Sequence, residues 1–63
     1  MTTKELQIFS QDTLSDWRRD QPNANIGIIL DDEHGNWAGS EEDWDYFAYC
    51  LEMYYDGTWE LDD

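Results

Sequence analysis

The stretch Ser40–Gly57, SEEDWDYFAYCLEMYYDG, constrains the fold most strongly. Its spacing predicts a long helix. Ser40 is a good N-cap, and Asp43 three residues on gives the S-x-x-D form of a capping box. Glu41, Glu42 and Asp43 crowd the first turn, where the positive end of the helix dipole favours acids. Gly57 follows the last periodic residue and suits the left-handed conformation that ends a helix. At about 100° per residue, Trp44, Phe47, Ala48, Leu51, Tyr54 and Tyr55 share an arc of roughly 120°, the core face. Glu41, Asp45, Glu52 and Asp56 fall on a neighbouring arc of roughly 60° and form a stripe along the axis. With a rise of about 1.5 Å per residue, the stripe spans roughly 22 Å. No Lys or Arg lies nearby in sequence to pair with it. A positively charged partner would relieve the repulsion.

The chain has 63 residues, one small domain near the lower limit for folding without staples. Four Trp, four Tyr and two Phe compensate for its size and argue against disorder. The net charge of −13 is unevenly placed. Residues 1–30 hold three basic and four acidic residues, whereas 31–63 hold twelve acids and no Lys or Arg. Such a chain repels nucleic acid and anionic membranes, and suits proteins that themselves bind polyanions. The lone Cys50 cannot form an intramolecular disulfide, which points to a reducing, cytoplasmic setting. Mid-helix, it is most simply a small buried or half-buried hydrophobe. Neither a signal peptide nor a run of transmembrane length is visible.

Ahead of the long helix, residues 1–9 suit either a helical turn or a short strand. From Ser10 or Thr13 to Asp20 the expectation is a helix, with Leu14 and Trp17 inward and Arg18 and Arg19 in its last turn. Asp16 and Arg19 can pair at i,i+3, and Gln21-Pro22-Asn23 ends the element. Asn25 to Leu30, rich in Ile, reads as a strand buried on both faces. Asp31 to Asn36 reads as a turn with Gly35 available for positive φ, and Asn36 to Gly39 as the returning strand of a hairpin. Thr58 to Leu61 alternates and reads as a third strand. The expected fold is α+β, in the order α-β-β-α-β: a small three-stranded antiparallel sheet, hairpin plus C-terminal strand, packed against the long acidic helix and a shorter N-terminal one.

Catalysis is poorly supported: a chain this short hardly encloses a cleft, and it has one His and no nucleophile, phosphate-loop or dinucleotide motif. The reading is therefore of a protein that is not an enzyme and carries no cofactor. The DDEHGN segment lacks the spacing of a calcium loop. A carboxylate stripe is often only a solvated face, and salt-adapted proteins are acidic throughout; here, however, the first half is nearly balanced. Tyr46, Tyr49, Cys50 and Met53 occupy the arc beyond the stripe, and any that are exposed supply aromatic anchors beside the acids. DNA presents one negative charge per ~1.7 Å of axis, and its binders meet it with Lys/Arg-lined clefts. Carboxylates at ~6–10 Å intervals along a helix would occupy such a cleft. The expected partner-binding residues are Glu41, Glu42, Asp45, Glu52 and Asp56 on the helix, Asp31, Asp32 and Glu33 in the turn, and Tyr49. Asp43 stands with Glu42 at the head of the row, and Glu60, Asp62 and Asp63 would extend the field.

In size, charge and the acidic helix SEEDWDYFAYCLEMYYDG with its DDEHGN turn, the chain resembles the small acidic inhibitors of phages and mobile elements, in particular anti-CRISPR proteins that mimic DNA. It is most similar to inhibitors of type I systems. The resemblance implies a monomer in the bacterial host cytoplasm, bound to the PAM-reading large subunit of an RNA-guided surveillance complex and excluding target DNA. Anti-restriction proteins, DNA glycosylase inhibitors and antitoxin-like adaptors share the same acidic character and stay open as alternatives.

Overall fold

The computed structural model describes residues 1–57, which form three helices: α1 (Thr3–Asp20), α2 (Ile26–Gly35) and α3 (Glu41–Asp56). The expected α+β sheet is corrected by this structure, since the described residues contain no strand. The proposed third strand, Thr58 to Leu61, lies outside the described residues.

Thr2 and Glu5 start α1 with a reciprocal capping box, so residues 3–9 are helical. Gln21 is its C-cap, and Arg18 and Arg19 lie in its last turn. The segment expected as the first strand is α2. Asn25 is its N-cap, accepting the Ile28 N–H at 3.0 Å. Ile26, Ile29, Leu30 and Glu33 then recur at i, i+3, i+4 and i+7 and are the buried or half-buried residues of this helix. A strand here would need Asn36–Gly39 as its partner. Instead Trp37 folds back, donating Nε1–H to the Ser40 carbonyl at 2.9 Å, and its ring stacks on Phe47 at 4.9 Å. A Cβ on Gly39 would come within 3.1 Å of the Trp37 indole, so any side chain there has to push that ring aside. Without a partner, the apolar run buries its residues more completely as a helix against α3.

The long helix forms as its caps indicate. Ser40 accepts the Asp43 N–H at 3.2 Å, and Gly57 closes the helix in the left-handed region at φ 76°. Phe47, Cys50 and Leu51 are completely buried, and Trp44 and Tyr54 nearly so. The buried arc is wider than periodicity implies because α3 is central. It packs against α1 through the side around Tyr46, Cys50 and Tyr54, and against α2 through the side around Trp44 and Ala48.

Side-chain pairs fix the register between α1 and α3. The Gln7 amide donates to the Tyr46 hydroxyl at 2.9 Å, Gln11 to that of Tyr54 at 2.8 Å, and Arg18 to the Tyr55 carbonyl at 3.4 Å. Position advances in the same direction on both helices, so α1 and α3 run parallel. The last turn of α3 contains no basic residue. Arg18 of α1 supplies a cation at that negative end. Among the described residues, no helix is long and apolar enough to cross a membrane.

Candidate protein-interaction surface

Glu41, Glu42, Asp45, Glu52 and Asp56 are all exposed on α3, and Asp31 and Asp32 are exposed on α2. The three acids expected in a hairpin turn are therefore helical. The change of element separates them: Asp31 and Asp32 face outward, whereas Glu33 turns inward and is half-buried, with the Trp17 indole donating to its carboxylate. Burial raises the Glu33 pKa above the usual carboxylate value, and Asp32 beside it adds to the rise. Glu33 is thus part of an internal contact rather than of the outer field. Asp43 is also drawn inward, accepting from the N-terminal ammonium at 3.1 Å. Glu60, Asp62 and Asp63 lie outside the described residues.

The positive charges are placed elsewhere. Arg19 pairs with Asp16 at 3.3 Å and with Asp20 at 3.2 Å, both on its own helix. Among the described residues, no Lys or Arg forms an ion pair with an acid of α2 or α3. The acids of α3 meet only the N-terminal ammonium, at Asp43, and the His34 ring, whose Nε2 lies 3.7 Å from Glu41, among the described residues. The other carboxylates of this face repel one another, with solvent to screen them.

Between α2 and α3 lies a feature that the strand reading could not contain. A shallow groove of about 550 Å³ is lined by Ile28, Leu30, Asp31, His34, Trp44 and Ala48, among others. Ala48 shares a helical line with Glu41, Asp45 and Glu52, at i, i+4, i+7 and i+11, so the carboxylate row runs along the α3 rim of this groove. Asp31 stands on the α2 side. The sequence signal for it was the Asn25 cap followed by apolar residues at helical spacing.

The aromatic arc beyond the stripe is largely internal. Cys50 is fully buried, and Tyr46 and Met53 are half-buried. Burial raises the Cys50 thiol pKa, against hydrogen bonds with Tyr46 and Ser10 that lower it. Tyr49 is 46% exposed, and its ring lies 6.3 Å from that of Tyr46. Among the described residues, no group of three or more His, Cys, Asp or Glu side chains is placed to hold a metal ion. No protein-family model matches the chain, and no curated protein or solved structure matches it.

Proposed function

We propose that this chain is a non-enzymatic inhibitor that competes with DNA for a basic site on a nucleic-acid-binding protein. One observation supports the reading above the rest. The exposed acids of α2 and α3 have no Lys or Arg partner among the described residues, although the chain's three basic residues sit one helix away. A surface built for stability alone would intersperse opposite charges. Mounting Glu41, Asp45, Glu52 and Asp56 on one helix holds the charges at fixed intervals, which lowers the ordering cost of binding. Attraction of the whole field speeds association. The target favoured by the resemblance is the PAM-reading large subunit of a type I CRISPR surveillance complex in the bacterial cytoplasm.

The test is target-duplex binding by that complex, followed by gel shift as the protein is added. Wild-type protein is expected to displace the duplex, and an Asp45→Lys/Glu52→Lys variant to fail while keeping its helical circular dichroism. Equal displacement by the variant would remove the acidic row as the site. A second reading, an adaptor that neutralises a basic protein without mimicry of DNA, draws support from the exposed ring of Tyr49. Under that reading Tyr49→Ala is the more damaging change, and added salt leaves inhibition unaltered.

A further inference from the structure

Ile28 is the least expected residue of the acidic face. It is 52% exposed and lines the α2–α3 groove. It occupies the third position of α2 after the Asn25 cap, where only its backbone N–H is used. Glutamate or glutamine is favoured at that position, because the side chain can reach back to the cap. A chain with sixteen acids carries none in the first turn of this helix and leaves an isoleucine in solvent instead. Folding gains little from that choice.

The surroundings of Ile28 indicate what would cover it. Leu30, Trp44 and Ala48 share the groove, giving it an apolar floor. Asp31 lines the groove on α2, and on α3 the exposed Glu41, Asp45 and Glu52 lie on the helical line of the lining residue Ala48. A neutral segment would leave those carboxylates desolvated and unpaired, and an acidic one would be repelled. Glu41 and Asp45 stand one helical turn apart, about 6 Å along the axis, the spacing of Lys or Arg residues one turn apart on another helix. The groove follows α2, whose ten residues extend about 15 Å, room for roughly three turns of a helix laid alongside.

We infer that the groove seats a basic amphipathic helix of the protein partner. One apolar side chain of that helix rests on Ile28 and Ala48, and its flanking Lys or Arg residues meet Asp31 on one side and Asp45 and Glu52 on the other. This inference rests on the inhibitor reading for the charge of the partner and adds to it a shape and an anchor. The contact is a helix in a groove with a charged rim, the arrangement in which apolar anchors supply affinity and rim charges supply rate and register.

The experiment uses the full chain, labelled with ¹⁵N, and a synthetic peptide of three to four helical turns with leucines on one face and lysines on either side. A peptide of the same composition in scrambled order is the control. The amphipathic peptide is expected to shift the amides of Gly27, Ile28, Asp31 and Ala48 and the Trp44 indole. Ile28→Gln, suited to its place beside the cap, should keep the fold and weaken the peptide about tenfold. Equal binding of the scrambled peptide, unaltered binding by Ile28→Gln, or shifts confined to the Tyr49 side would each overturn the groove. Running Ile28→Gln in the duplex-displacement assay separates the two ideas. If it displaces DNA as wild type does while Asp45→Lys/Glu52→Lys fails, the acidic row stands and the groove inference falls. If both variants displace DNA normally, both ideas fall.

Discussion

The imidazole of His34 lies flat on the indole of Trp44, with ring centroids 4.5 Å apart and planes 7° from parallel. This contact joins the last turn of α2 to the first turns of α3. Trp44 continues the aromatic contact inward, meeting Trp37 edge-on at 5.5 Å and Phe47 at a tilt at 5.7 Å. Replacing His34 by Ala should therefore cost about 1 kcal/mol of stability through the lost ring contact. Urea denaturation followed by circular dichroism checks it; an unchanged midpoint would mean that the stack is incidental.

The α2 helix depends on its N-cap, Asn25. It is short, has three isoleucines in its first four positions, and places Asp31, Asp32 and Glu33 in the half where the dipole disfavours acids. Asn25→Ala removes the cap and should cost about 1 kcal/mol. Hydrogen exchange is expected to accelerate first at the amides of α2, ahead of those of α1 and α3.

That dependence also explains what the sequence concealed. In α3 every local cue agrees: the Ser40 cap, the first-turn acids, the apolar arc and Gly57. The run Ile26-Gly27-Ile28-Ile29-Leu30 carries two patterns at once, apolar enough for a strand yet spaced for a helix when Glu33 is included. Packing against α3 decided between them. Residues 1–9 fit two patterns by apolar spacing alone, and the Thr2–Glu5 capping box sets them as helix. The outward row on α3 could be read from periodicity because it needs only one helix. The groove could not, because one of its walls is α2, and the inward turn of Glu33 depends on the same wall.

Glu33 makes stability depend on pH. Its carboxyl pKa is raised in the folded chain by burial, so folding favours the protonated form. The stabilising contribution is complete below the ordinary glutamate value and is lost as pH rises through the raised folded value. At neutral pH the half-buried charge opposes folding. Glu33→Gln keeps an acceptor for the Trp17 indole and removes that charge. The variant should melt above wild type at pH 7, with the gap closing by about pH 4. A gap that persists in acid would assign the effect to packing.

Gly39 admits no side chain without moving Trp37. Because that indole is held by both the Ser40 carbonyl and the Phe47 ring, Gly39→Ala should destabilise the chain by roughly 1–2 kcal/mol. The Trp37 indole proton resonance is expected to shift in the same variant. A shift without a loss of stability would mean that the loop yields cheaply.

Salt should stabilise this protein. With a net charge of −13 and no Lys or Arg paired to the acids of α2 and α3 among the described residues, screening removes more repulsion than attraction. Raising sodium chloride from about 20 mM to about 0.5 M shortens the Debye length severalfold and should raise the melting temperature. A fall would show that the few ion pairs outweigh the repulsion.

The parallel alignment of α1 with α3 imposes an order in time. Gln7 reaches Tyr46 and Gln11 reaches Tyr54 across 39 and 43 positions of chain. The main interface therefore joins segments made early to segments made late, and α1 emerges from the ribosome before its packing partner exists. The local pair, α2 with α3, can meet through a short loop, but α1 must close a far longer one to dock. For a helical protein that is a non-local topology, and it should fold more slowly than an up-and-down hairpin of the same length. A nascent chain halted before Tyr54 would lack the partner of Gln11, so α1 cannot complete its docking until α3 has been made.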